Sequence, residues 1–413
     1  MKLTLGRVSI LIKLTLLGQR KIPLSALILF SSMCGNNALA VDNTNLVSPL
    51  NSSLKLGLLS FDSNVYRSPD HTYNDYFSKK TGPVSVIPIV RRGFYFPISS
   101  SLSYERQMAE NLVGIKASAA GDFYQNETLR NANQYSIDVD LFGERQLNEA
   151  GEINVGFYAG NHSENYTDRD SGMGKTSGQF SISDKYKYKK YGAKTQYKAK
   201  FGKFKGAASL LIEKRDYVDT TVVAEYDQVI SEFDSDIKYR LKKRTTLGLG
   251  YQFSNNDYSD RHARRLDGFL SSLSPLLKYK YHTVNTSFRQ RISKKWIGSL
   301  GYSKVFRKDV HVGYNDYSED QVDLKVILKK GDFRIRSLLT YRNRYYPNAF
   351  AFDNPVAGKN TYTYMKMANT LKYEYSSHMN LFFKVLLWKV QTQDTRYEYD
   401  RYKVSIGGQY NIQ

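Results

Sequence analysis

The sequence predicts an all-β chain that closes into an antiparallel transmembrane β-barrel of about sixteen strands, with short periplasmic turns and long external loops. Three observations predict it. Apolar and polar residues alternate with a period of two along most of the chain. The connections between the alternating runs are short and long in turn. No amphipathic helical stretch of comparable length competes with them.

The first 40 residues stand apart. Arg20 and Lys21 precede the apolar run "IPLSALILFSSM", which leads into "CGNNALA". Ala38 and Ala40 form the small-x-small pattern of a signal-peptidase site, so residues 1–40 are expected to be a signal peptide cut before Val41. The stretch before this run is long for such a leader, and a buried N-terminal helix is the competing reading. Met33 occupies the position where a lipoprotein site needs a small residue. The sole cysteine, Cys34, would leave with the leader, and disulfides would not hold the mature chain together. Residues 41–51 are then a short periplasmic segment, and 52–413 the barrel.

Counting the alternating runs gives approximate strands at 54–61, 84–105, 111–123, 134–146, 152–161, 180–201, 204–216, 228–242, 245–254, 276–292, 296–307, 320–330, 333–346, 361–376, 380–391 and 399–412. In "YSIDVDLFG" the apolar set is Tyr135, Ile137, Val139 and Leu141. In "FRIRSLLTYRNRY" it is Phe333, Ile335, Leu339, Tyr341 and Tyr345. The stretch 84–105 is too long for one simple span. Pro88, Gly93 and Pro97 point to a bend, a bulge or a short extra hairpin in the first external loop. Short connections such as Gly202-Lys203 and Gly331-Asp332 alternate with longer ones such as 255–275 and 347–360. A soluble sandwich has no reason to sort its loops this way. Aromatics at strand ends (Tyr104, Trp296, Tyr302, Phe306, Tyr345, Tyr373, Tyr375) fit interfacial girdles.

The last strand, "RYKVSIGGQYNIQ", carries Tyr402, Val404, Ile406, Tyr410 and Ile412 on one face. This tail resembles the C-terminal signature of bacterial outer-membrane β-barrels, matched by Ser405, Gly407, Tyr410 and Ile412. The resemblance implies recognition by the barrel-insertion machinery and residence in the bacterial outer membrane. Gln413 departs from the pattern, which usually ends on the aromatic residue. "LGLLSFDSNVYRSPD" resembles the opening of barrels found in exopolysaccharide loci, and "VSVIPIVRRGFYFP" is similar to the second strand of MipA/OmpV-type barrels.

The chain of 413 residues holds 34 Tyr, 21 Phe and 2 Trp and carries a formal charge of +21. Such a balance suggests an anionic partner. In a secreted, Tyr-rich chain that partner is not expected to be nucleic acid. On strand 333–346 the wet face carries Arg334, Arg336, Arg342 and Arg344. Lys366, Lys372, Arg401 and Lys403 extend it to one side, Lys325 and Lys329 to the other, so that four consecutive strands would form one basic wall. Asp138, Asp140, Glu144, Glu232, Asp234 and Asp236 are expected to form an acidic wall. Two walls of opposite charge would set up a transverse field that selects charged solutes. The same charges also suit a water-filled interior in which they pair across strands.

Further basic residues near external loops, among them Lys187, Lys189, Arg264, Arg265, Arg307 and Lys308, suit lipopolysaccharide phosphates. His282 is expected to face the lumen beside Lys278 and Lys280. The six histidines are dispersed, with no close-spaced metal pair. "SGMGKTSG" lacks the first glycine of a phosphate loop. No catalytic residue, metal or cofactor is expected.

Two functions follow as expectations. One is a channel for passive passage of solutes, biased to small anions and including export of an acidic polysaccharide. The other is a structural, adhesive or envelope-assembly barrel with a plugged lumen and ligand-binding external loops. N-terminal sequencing of the protein recovered from outer membranes is expected to begin at Val41; retention of residues 1–40 in the mature chain would overturn the compartment assignment.

Overall fold

The computed structural model describes residues 50–75, 84–165, 185–218, 226–268 and 271–412. The expected leader, its cleavage residues Ala38, Ala40 and Val41, and the stretch 171–178 lie outside these residues. The strands are β1 (Leu50–Asp62), β2 (Tyr73–Asp75), β3 (Val84–Val86), β4 (Gly93–Met108), β5 (Asn111–Tyr124), β6 (Gln134–Asn148), β7 (Gly151–Asn165), β8 (Lys185–Phe201) and β9 (Phe204–Tyr217). They continue with β10 (Gln228–Lys242), β11 (Thr245–His262), β12 (Leu276–Arg291), β13 (Trp296–Asp309), β14 (Tyr317–Lys330), β15 (Phe333–Phe350), β16 (Lys359–Glu374), β17 (Met379–Thr392) and β18 (Tyr399–Ile412). Sixteen of them form a closed antiparallel barrel, in which each strand pairs with its neighbours in sequence and β1 closes on β18.

Every expected span overlaps one barrel strand, and the structure resolves the long stretch 84–105. Val84–Val86 pairs with Tyr73–Asp75 as a separate hairpin, and the barrel strand starts at Gly93. Several strands run further than the alternation shows. Strand β11 continues to His262 and β15 to Phe350. Beyond the apolar belt both faces of the sheet meet water, so the pattern fades while backbone pairing continues.

Outward positions are apolar and exposed: Ile137, Val139 and Leu141 on β6, Leu247 and Leu249 on β11, Val322 and Leu324 on β14, Ile335 and Leu339 on β15. Hydrocarbon offers backbone groups no partner, so a sheet crosses it only when closed. The closed sheet with this belt is a transmembrane barrel of the outer-membrane type. Outer-membrane barrels keep short turns and termini in the periplasm, which places the β14–β15 turn at Gly331-Asp332 on that side.

The inside of the barrel is packed at its extracellular half by tyrosines. Tyr188, Tyr217, Tyr226, Tyr258 and Tyr279 form one buried cluster. Tyr95 and Tyr124 pack with Val65, Leu129 and Ala132 in another. Tyr362 and Tyr399 sit with Val390, and Tyr314 and Tyr346 with Ala349. A phenol buries its ring and still offers a hydroxyl to a polar interior, which accounts for much of the tyrosine content.

Closure depends on local fit at β1. Leu56 pairs with Ile98 and Phe61 with Phe94, so β1 carries one extra residue against β4. The same bulge appears against β18 between Gly57 and Leu59. Pro97 of β4 has no N–H for the ladder, and bulges are where a sheet tolerates proline. Its ring packs where a side chain on Gly57 would be: a Cβ there would lie 2.4 Å from Pro97 Cγ.

Gly407 is tighter still. A Cβ would lie 2.1 Å from the Leu56 carbonyl oxygen and 2.5 Å from Phe382 Cζ. At Gly408 the nearest atom would be 3.7 Å away. Gly407→Ala is therefore expected to destabilise the barrel by about 3 kcal/mol, and Gly408→Ala by less than about 0.5 kcal/mol. Urea unfolding in micelles, read with the heat-modifiable band on gels, checks both. Equal tolerance of the two would remove Gly407 from the closure argument.

Candidate functional site: the charged lumen wall

Register in a closed sheet fixes which residues face inward. Across β14, β15 and β16, Lys329 stands opposite Arg334, which stands opposite Lys372. Asp323, Thr340 and Lys366 form another such row. Arg336, Arg342 and Arg344 share the parity of Arg334, and so face the lumen. Lys325 lies beside Leu338, diagonal to Arg336. Arg401 and Lys403 also point inward, but on β18 they are not next to β16. β17 stands between, so the wall expected from four consecutive strands runs over five.

β17 contributes Lys384, which pairs with Thr370 on one side and Ser405 on the other. The sequence reading passed over it for a physical reason. In "LFFKVLLWKV" the inward set Phe382, Leu386, Trp388 and Val390 is as apolar as the outward one, so alternation does not identify the faces. Lys55 on β1, between Leu54 and Leu56, and Arg289 on β12, beside the outward Phe288, were also missed, although each sits at inward parity. That parity was the signal that could have found them.

The wall divides into two kinds of cation. Arg344 is buried, with Nε 2.8 Å from Glu319 Oε2 and its guanidinium 4.1 Å from the Tyr317 ring centre. Arg401 makes a two-point pair with the fully buried Asp62, through Nε at 2.9 Å and through its terminal nitrogen. Tyr124 donates its hydroxyl to the same carboxylate at 2.7 Å. Lys403 lies 3.1 Å from Asp122 and 3.5 Å from Asp62. These three predicted lumen residues are held in closed networks, because the strands that bring them inward bring carboxylates beside them.

The others have no such partner. Arg334, Arg336, Lys325, Lys329, Lys372 and Lys384 form no ion pair among the described residues. Lys372 donates to Gln409 at 3.0 Å. Lys366 lies 5.7 Å from the Trp388 ring, and Lys55 lies 4.4 Å from the Phe382 ring. Arg342 is intermediate, 4.0 Å from Glu319 and 5.4 Å from the Tyr364 ring.

The "FDSNVYRSPD" stretch acquires a structural role at this seam. Asp62 accepts from Arg401 and Tyr124, and also from the Asn64 backbone N–H at 3.1 Å. The Asn64 side chain donates to the Ser68 and Asp400 carbonyl oxygens and accepts from the Ser68 N–H. Val65 is buried in the Tyr95–Tyr124 cluster.

The acidic wall differs from the expectation. Asp138, Asp140 and Glu144 on β6 and Glu232, Asp234 and Asp236 on β10 all share inward parity, but β7, β8 and β9 separate the two strands. Strand β8 turns Lys190, Lys194 and Lys198 inward between them. Asp138 pairs with Lys190 at 3.0 Å and His162 at 2.8 Å, and Asp236 with Lys238 at 3.0 Å. Asp140 stands opposite Lys116 in register. The acidic residues are thus interleaved with lysines rather than forming one negative face. Small inward residues here (Ala207, Ser209, Gly248 and Gly250) border a hollow of about 350 Å³ that Lys194, Asp234 and Lys238 also line.

His282, Lys278, Lys280 and Arg307 stand elsewhere than expected. His282 faces outward between Phe253 and Phe306, with Nδ1 2.8 Å from the Tyr251 hydroxyl. Tyr279 and Tyr281 take the inward positions, so Lys278 and Lys280 also point outward. Arg307 is buried inside, its guanidinium 4.4 Å from both the Tyr279 and Tyr317 ring centres and bonded to the Asn315 carbonyl. Among the described residues no cluster of three or more His, Cys, Asp or Glu could hold a metal ion. Of the tail signature, Ser405 faces inward, 3.2 Å from the Tyr95 hydroxyl, while Tyr410 and Ile412 face outward.

No family model matches the chain, and neither does any curated protein. Several solved structures are similar in fold at low identity. Salmonella typhi OmpF in complex with daunomycin is 10% identical, covering 88% of this chain and 97% of that one, with a TM-score of 0.47. The outer membrane channel DcaP of Acinetobacter baumannii is 14% identical over 90% of this chain and 100% of that one, with a TM-score of 0.44. A bacterial polysaccharide outer membrane secretin is 8% identical over 89% and 99%, with a TM-score of 0.44. Likeness of this degree carries no argument about what the chain does.

Breaking one partner of a buried ion pair leaves an uncompensated charge. Arg401→Met is expected to destabilise the barrel by about 3 kcal/mol. Asp62→Leu combined with Arg401→Met should lie closer to the natural protein than either single change, because it removes both charges together. Urea unfolding of the three variants measures this. Additive losses would show that the pair does not act as a unit.

Proposed function

We propose that this chain is an outer-membrane channel for passive passage of solutes, biased to anions. The observation that carries the reading is the set of inward arginines and lysines without carboxylate partners on β14–β17, with Arg334 flanked in register by Lys329 and Lys372. Like charges side by side on a sheet repel one another. A wall that keeps them attracts mobile anions and raises their local concentration. The residues that remain after pairing, Arg334, Arg336, Lys366 and Lys372, supply the bias; Arg344, Arg401 and Lys403 serve the wall's own cohesion.

A specific observation favours the second reading, a plugged structural or adhesive barrel. Tyr279, Tyr314 and Tyr346 are fully buried toward the extracellular end. The loops there are tied together: Tyr314 donates to Asp353 at 3.0 Å, and the Phe352 N–H donates to Asp394 at 3.0 Å, itself paired with Arg396. Stable conductance steps separate the readings, since a plugged barrel gives none.

Two partners follow from position. Lys187, Lys189, Lys280 and Lys308 are exposed at the outward-facing extracellular end, where lipopolysaccharide phosphates lie. The tail Ser405, Gly407, Tyr410 and Ile412 suits recognition by the barrel-insertion machinery.

Arg334→Glu with Arg336→Glu should leave folding nearly intact, since neither residue is buried or ion-paired. It should shift the reversal potential under a salt gradient from anion toward cation preference. The shift should shrink near 1 M salt, where the Debye length falls to about 3 Å. Unchanged selectivity in a folded, conducting double variant would mean that these arginines do not line the path.

A further inference from the structure

The unpaired cations of the lumen are not spread evenly along its axis. Lys325, Lys329, Arg334, Arg336, Lys372 and Lys384 all lie in the periplasmic half of their strands, and Lys366, also without an ion pair among the described residues, stands at the middle of β16. Arg344, Arg401 and Lys403, which have carboxylate partners, all lie in the extracellular half. The split follows from where the acids sit: Asp62, Asp122 and Glu319 are at the extracellular ends of β1, β5 and β14. At the other end, the carboxylates of Asp332 and Glu374 make no ion pair among the described residues.

The spacing within the lower group is regular. Lys329, Arg334 and Lys372 are neighbours on three successive strands. Arg336 and Lys384 flank Thr370 on either side. Directly opposed residues on a sheet have Cβ atoms about 5 Å apart. One small anion meets one or two of these cations and leaves the others repelling. Negative charges repeated along a flexible chain meet several at once, and after the first contact each further one is intramolecular. The arginines add planar forks suited to carboxylate or phosphate oxygens.

We propose that the periplasmic mouth is a loading site for a chain-like polyanion, which enters the barrel from the periplasm. The proposal rests on the anion-channel reading and adds to it a substrate class and a direction. The extracellular ends of these strands lack the feature, because Arg344, Arg401 and Lys403 are buried there beside carboxylates.

The test uses the protein in planar bilayers, with Val356→Cys in the external β15–β16 connection labelled to report orientation; Val356 is 93% exposed. Polygalacturonate oligomers and polyphosphate are added to each side in turn. Block from the periplasmic side is expected at concentrations at least about tenfold lower than from the outside, a difference of about 1.4 kcal/mol. The more effective probe names the anionic group, and monomeric galacturonate should show no such asymmetry. Lys329→Gln, Arg334→Gln and Lys372→Gln together should abolish the asymmetry in a channel that still conducts, with its anion preference reduced. Equal block from both sides, or asymmetry that survives the triple variant, overturns the proposal even where anion selectivity stands. Titration of the detergent-solubilised barrel with polygalacturonate gives a readout independent of conduction. Binding that is weakened at least about tenfold by the triple variant supports the site, and binding unchanged by it overturns the site.

Discussion

An unpaired backbone group in hydrocarbon costs several kcal/mol, and the rest of this structure depends on avoiding that cost. It forces the sheet to close, and closure makes the β1–β18 seam the place where the first and last barrel strands meet. The seam is accordingly built from residues with little tolerance. Gly407 lets β18 lie against Leu56 and Phe382, and Gly57 lets β1 lie against Pro97. Asp62 joins β1 to Arg401 of β18 inside the wall. The bulge at Gly57–Leu59 absorbs the proline that the ladder does not accommodate.

Closure also fixes the division of labour between faces. Outward positions meet lipid, and a charge there costs roughly 2–4 kcal/mol near the midplane. Inward positions are free to carry charge, and here they do so unevenly. Toward the outside, tyrosines and buried ion pairs pack the wall into a cohesive rim. Toward the periplasm on β14–β17, cations stand beside cations and make no ion pair among the described residues, whereas on β8 Lys198 meets Glu152. The fold thus separates a mechanical end from an electrostatic end, and the same strands serve both. Arg344 and Arg334 lie on one strand and one face, yet the first is held by Glu319 and the second is not.

The sequence by itself determined the class of fold, the strand number and the parity of most strands. Period-two alternation is imposed by lipid on one face, and that constraint is local. It can be read from Ile137, Val139 and Leu141 without knowing any partner strand. It also directed Arg334, Arg336, Arg342 and Arg344 inward, since the opposite choice would bury them in lipid.

Tertiary structure alone decided which charges remain available. Whether an arginine is free depends on residues that register brings opposite it, hundreds of positions away for Arg401 and Asp62. Pattern reading failed where the lipid constraint is absent or doubled. On β17 both faces are apolar, so Lys384 gave no sign of its direction. Above the belt on β12, tyrosines took the inward positions and turned His282 outward. The acidic strands β6 and β10 looked like one wall because neither strand's own pattern records that β8, with Lys190, stands between them in the ring; Lys238, two residues from Asp236 on β10, was legible. Pairing in a closed sheet is a property of neighbours around the ring, and a linear pattern records only the residue's own face.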